Sequence, residues 1–94
     1  MKKVKKELLT VGIDEVKPNP KNFKVHTQEN LALIRKSLTE IGVVVPVIVD
    51  ENLEILAGHG RVMVMKEDGE KEVEIMKLSG LSPAKKKKFA LYDN

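Results

Sequence analysis

Ile55-Leu56-Ala57-Gly58-His59-Gly60-Arg61 is an apolar triplet running into two glycines one residue apart, with a guanidinium directly behind them. With Glu54 before it, the triplet reads as a strand, Glu54-Ile55-Leu56-Ala57, returning from a hairpin turn at Asp50-Glu51-Asn52. The glycines mark a tight turn, and Arg61 to Asp68 reads as a short helix closed by Gly69. A strand, a glycine turn and a helix start together make an anion-binding device. Glycine lets the backbone approach a ligand closely, N–H groups at the helix start point outward, and the helix dipole favours negative charge there. Arg61 adds a fork of donors suited to phosphate, and His59 adds a donor that can be neutral or charged. A plainer reading uses the same residues: Gly58 and Gly60 serve only the turn, and Arg61 caps a surface ion pair.

Outward from this turn the pattern stays regular. Upstream, Thr27 is placed to cap a helix whose Leu31, Ile34, Leu38 and Ile41 recur at spacings of three, four and three, ending at Gly42. Pro46 blocks a central strand, so the next strand starts at Val47. Before the helix, Leu9, Val11 and Ile13 alternate with Leu8, Thr10 and Gly12 as a first strand. The prolines of Val16-Lys17-Pro18-Asn19-Pro20-Lys21-Asn22 then force an extended loop. Downstream, Val73, Ile75, Met76 and Leu78 form the last strand, and Ser82-Pro83 opens a helix running to about Tyr92. The order is strand, helix, strand, strand, helix, strand, helix: a small α+β domain spanning 1–94, with residues 1–7 expected as a disordered basic tail.

Composition narrows the chemistry. The 94 residues contain no cysteine, which excludes disulfides, thiolate metal sites and a cysteine nucleophile. No segment has the length or apolarity of a signal peptide or a bilayer span, so a soluble, cytoplasmic protein is expected. The formal charge is only +3, but lysines concentrate at the N-terminus and in Lys85-Lys86-Lys87-Lys88. Such a run suits a phosphate backbone, although four lysines on a surface helix usually form a solvated face. His26 and His59 lack the spacing of a zinc site. Met63, Met65 and Met76 suit gaps in a core, and three aromatics make a poor base-stacking platform.

Three stretches carry a resemblance. Val16-Lys17-Pro18-Asn19-Pro20-Lys21-Asn22-Phe23-Lys24, the helix end Glu40-Ile41-Gly42 with the Pro46-Val47-Ile48-Val49 strand, and Ile55 to Arg61 occur in the order seen in the ParB N-terminal domain family. The similarity runs from about Val11 to the end. It implies a ParB/sulfiredoxin-like mixed sheet with three helices. That superfamily includes sulfiredoxin and an archaeal free-serine kinase, which use this pocket for nucleotide phosphates, and ParB itself, which binds and hydrolyses CTP there. On this resemblance Gly58, His59, Gly60 and Arg61 contact phosphate oxygens. Lys24, where ParB usually has arginine, supplies a second cation. Asp93 and Asn94 stand where ParB has a Glu-Asn pair near triphosphate and magnesium. The implied cofactor is a nucleoside triphosphate, CTP or ATP, with Mg²⁺, and a partner domain or homodimer is expected.

The departures bear on activity. ParB's motif typically reads Gly-Glu-Arg-Arg where this chain has Gly58-His59-Gly60-Arg61, so the acid and one arginine that accompany CTP hydrolysis are missing. Sulfiredoxin's catalytic cysteine is replaced by His59, which excludes peroxiredoxin repair. The chain ends where ParB would begin its helix-turn-helix, so partition by this chain alone is not expected. The leading expectation is a nucleotide-phosphate-binding module in DNA metabolism related to partition, phage or plasmid functions. One alternative is an enzyme, either a metal-dependent nuclease or a small-molecule phosphotransferase, for which Glu29, Asp50 and Asp68 are available carboxylates. A second is a plain DNA-binding module using Lys85, Lys86, Lys87 and Lys88.

Overall fold

A computed structural model describes residues 4–19, 27–42 and 45–92, the last three by backbone alone. The elements are β1 (Lys5–Gly12), a 3₁₀ turn (Ile13–Glu15), α1 (Gln28–Glu40), β2 (Val47–Asp50), β3 (Ile55–Ala57), α2 (His59–Glu67), β4 (Glu72–Ser79) and α3 (Pro83–Tyr92). The four strands form one mixed sheet in the order β1-β4-β2-β3. β4 pairs antiparallel with β1 and parallel with β2, while β2 and β3 form an antiparallel hairpin.

One face of the sheet carries the core. Val73, Ile75, Val47 and Val49 are buried on it, against Val62 and Met65 of α2 and Ile13 and Val16 of the segment after β1. Each such aliphatic side chain contributes roughly 1.5–3 kcal/mol on burial, so this cluster stabilises the sheet–helix sandwich. The parallel β2–β4 pair runs through its centre, which explains an almost unbroken apolar run in β2.

The helix ends follow from their caps. Thr27 Oγ1 accepts the Asn30 N–H at 3.0 Å, and Gly42, at φ +86°, receives the chain after α1. Ser82 Oγ accepts the Lys85 N–H at 3.2 Å at the start of α3. Gly69 leaves α2 at φ +81°.

Several expectations need correction. Lys5, Lys6 and Glu7, assigned to a disordered tail, are the first residues of β1. They gain ladder partners at Ser79, Leu78 and Lys77, a long-range pairing that local composition does not show. Residues 1–3 lie outside the described residues. Ile13 is not in β1 but opens the 3₁₀ turn, which drives its side chain into the core. Ile41, expected on the buried stripe of α1, is the C-cap and 68% exposed, because the helix ends before its side chain reaches the core. Met63 is also exposed, whereas Met65 fills the core as expected. α2 starts at His59, two residues earlier than the apolar pattern indicates, with Gly58 as its N-cap. Among the described residues, no helix is long and apolar enough to cross a membrane.

Candidate functional site

The site is built where β3 passes into α2. Gly58 caps α2 without a side-chain hydrogen bond, in the left-handed region at φ +105°. Two independent constraints select glycine there. The φ value is costly for any residue with a Cβ. That atom would also lie 2.9 Å from Arg61 Nη2 and 3.3 Å from Val47 Cγ2. Val62 N–H is bonded to Gly58 O at 3.1 Å, so the amides of the preceding residues lie in the first turn, at the positive end of the helix.

The Arg61 guanidinium folds back over Gly58. Its Nη1 donates to the carbonyl of Val45, and Nη2 lies 3.4 Å from the carbonyl of Pro46. Arg61 therefore ties the start of α2 to the approach into β2, through neutral main-chain acceptors. Beside it, Ile34, Leu38, Ile41 and Val45, with Arg61, line an open, mostly apolar cleft of about 610 Å³.

His59 reaches the other way. Its Nε2 accepts the Asn19 backbone N–H at 3.1 Å, which requires the imidazole proton to sit on Nδ1. The proline-bearing segment is held for this contact by β3. Lys17 N–H donates to Leu53 O at 2.8 Å, and Ile55 N–H donates to Lys17 O at 2.9 Å. Thus Gly58, His59, Gly60 and Arg61 do share one turn, and His59 joins it to the loop after β1. Lys24, His26, Asp93 and Asn94 lie outside the described residues.

The lysine run does not form a uniform cationic face. Lys85, Lys87 and Lys88 are exposed, but Lys86 turns inward. Its Nζ lies 3.2 Å from Asp50 Oδ2 and 3.1 Å from Glu51 Oε1. Burial works against the Lys86 charge, but hydrogen bonds to Glu51 and Asp50 outweigh it and hold the ammonium above its ordinary value. Asp50 is buried and also accepts the N–H groups of Asn52 at 2.8 Å and Glu54 at 3.0 Å. It organises the β2–β3 hairpin.

Asp68 is likewise engaged, with Arg35 Nε at 3.1 Å, while Glu67 meets Arg35 Nη2 at 2.9 Å. Hydrogen bonds to Glu67 and Asp68 raise the Arg35 guanidinium further above its already high value. Among the described residues, no three His, Cys, Asp or Glu side chains are grouped to hold a metal ion. A second open cleft, about 530 Å³, is lined by Asp68, Glu70, Glu72 and Glu74, a charge pattern that repels anions. The Arg61–carbonyl tie, the Asp50–Lys86 pair and the Arg35 bridge were not read from sequence. Asp50 with Asn52 in an Asp-x-Asn turn was the one available signal.

Comparison with known proteins now gives this geometry a family. The model of the ParB N-terminal domain matches residues 1–94. The ParB-like nuclease domain-containing protein YnaK of Escherichia coli (strain K12) is 36% identical over 76 residues, covering 81% of this chain and 87% of YnaK. A Pnob8-like ParB-N domain structure aligns with a TM-score of 0.76 at 28% identity, over 95% of this chain and 36% of that one. The C-terminally truncated chromosome-partitioning protein ParB from Caulobacter crescentus, complexed with CTP-γ-S, aligns with a TM-score of 0.79 at 23% identity, over 94% and 52%. The chain thus spans about a third to a half of the solved proteins it resembles, and the last of these supports the fold alone. With the family model matching the whole chain and YnaK 36% identical over most of it, the chain belongs to the ParB N-terminal domain family.

Proposed function

We propose that this domain is a nucleotide-phosphate-binding module acting in DNA metabolism, in a partition-, phage- or plasmid-related setting. The observation that carries the reading is the Gly58–Arg61 turn, a helix start capped by a glycine with a guanidinium and an imidazole beside it. Backbone amides of the first turn of α2 would hold phosphate oxygens, with the helix dipole behind them. Among its contacts, Arg61 donates to the neutral carbonyl of Val45 and lies close to that of Pro46. A phosphate oxygen is a charged acceptor and forms the stronger bond, so ligand would draw the guanidinium across. The fold match to a ParB bound to a CTP analogue is consistent with the same turn serving CTP or ATP here.

Mg²⁺ would arrive with the phosphates, near Asp93 and Asn94, and keep several of its waters. Lys24, Asp93 and Asn94 are assigned to the ligand by family resemblance. Titration calorimetry with CTP, ATP, GTP and ADP in the presence of Mg²⁺ tests the reading. Binding of at least one, lost in Arg61→Ala, is expected. Folded protein giving no heat with any of the four would refute it.

The name of YnaK motivates a second reading, metal-dependent DNA cleavage. It predicts nicking of plasmid DNA with Mg²⁺ or Mn²⁺ that disappears in Arg61→Ala. Exposed Lys85, Lys87 and Lys88 would supply DNA contact in either case.

A further inference from the structure

We infer that the outer edge of β1 is a self-association site, through which two copies of the chain join antiparallel across a two-fold axis centred on Leu8. β1 is a terminal strand of the sheet, and among the described residues nothing pairs with its outer side. The direction of its backbone groups can be derived. Ile13 N–H donates to Lys71 O at 2.9 Å, extending the β1–β4 ladder by one bonded pair. Antiparallel bonding alternates, so Lys5, Glu7, Leu9 and Val11 bond inward to β4. Lys6, Leu8, Thr10 and Gly12 turn both N–H and C=O outward. Gly12 confirms this parity, because its N–H is met by Glu15 Oε2 at 2.7 Å.

Glu15 thereby closes one end of the edge and leaves Lys6, Leu8 and Thr10 to be matched. A two-fold axis at Leu8 matches all three, pairing Leu8 with Leu8 and Lys6 with Thr10 in both directions. Moving the axis by one residue to Leu9 would set Lys6 against Gly12, whose N–H is already taken.

Three further observations favour a second copy as the occupant. The strand has no proline or bulge, and its charges are confined to Lys5, Lys6 and Glu7, so from Leu8 to Gly12 the devices that keep sheet edges apart are missing. Leu8 and Leu9 face opposite sides and are 57% and 37% exposed, a large apolar outlay for an edge strand. Leu8 also lies in register with Met76 and Ile48 on one face. The two-fold joins that row to its symmetry mate across an eight-stranded sheet. Charge is complementary as well. Lys5 and Lys6 of the second copy land against Val11 and Thr10, next to the Glu15 carboxylate, and symmetry makes this contact twice.

The chain contains no cysteine, so single-cysteine variants report the register directly. Sedimentation velocity of the full 94-residue chain is expected to show a concentration-dependent monomer–dimer equilibrium. Leu8→Cys should form a disulfide-linked dimer under mild oxidation, because the two-fold sets it against itself, whereas Thr10→Cys alone should not. Leu8→Lys, at an exposed position, places two like charges face to face and should weaken the dimer at least tenfold while the fold persists. Thr10→Pro removes an outward N–H that an edge strand can spare and should do the same. Monomer at every concentration overturns the inference. So does a dimer that is indifferent to Leu8→Lys and cross-links equally through Thr10→Cys.

Discussion

His59 Nε2 accepts the backbone N–H of Asn19 at 3.1 Å, so a residue of the glycine turn fixes the loop that follows β1. His59→Ala leaves that part-buried N–H without its acceptor and should cost about 1–2 kcal/mol in urea unfolding. Nucleotide affinity should fall further than the loss of stability alone explains, since the loop and the turn are no longer held together. A His59→Ala protein with unchanged stability and affinity would remove the loop from the site.

Gly58→Ala should be costly on two counts, backbone angle and contact with Arg61. Together they predict a loss of about 2–4 kcal/mol. Gly69→Ala is the control, because it shares a positive φ but meets nothing within 4 Å, and should lose about 1 kcal/mol. In the Gly58→Ala/Arg61→Ala double variant the contact with the guanidinium disappears while that with Val47 remains, so the two substitutions should be non-additive by more than about 0.5 kcal/mol.

The Asp50–Lys86 pair predicts both a substitution effect and a pH effect. Asp50→Ala leaves two hairpin N–H groups without their acceptor and the Lys86 ammonium with Glu51 alone, and should destabilise by about 2–3 kcal/mol. Lys86 is held above 10.5 in the folded chain. Its contribution is therefore fully present below 10.5, and is lost as pH rises through the higher folded value. With Lys86 partly open to solvent, that contribution is on the order of 1 kcal/mol. The wild-type chain should lose this increment between neutral and strongly alkaline pH, while Lys86→Met should not.

Neutralising Lys85, Lys87 and Lys88 together to glutamine should weaken non-specific binding to duplex DNA at moderate salt. It should also flatten the log–log salt slope by up to roughly 2–3 units. Lys86→Gln should act mainly on thermal stability. Equal effects of all four on DNA affinity would mean that the inward position of Lys86 is not kept in the complex.

The element order was legible because each boundary had local chemistry behind it: Thr27 and Gly42 around α1, Pro46 before β2, Ser82-Pro83 before α3. Edges were harder. Lys5 to Glu7 are polar and enter β1 only because β4 supplies a ladder, and Ile41 fits the helical stripe yet falls past its useful end. The glycine turn was legible as a helix start. What Arg61, Lys86 and Arg35 hold was not, because each reaches a partner between fifteen and thirty-six residues away. Long flexible side chains give no periodic sign of their destination.

The strand order also separates two kinds of traffic. β1 and β3 stand at opposite rims, three strand spacings or about 14 Å apart. A neighbour zipped onto one rim would leave the mouth beside the other unobstructed, so assembly and ligand uptake need not compete for space. Any influence between them through the sheet would have to pass along the paired β4–β2 centre.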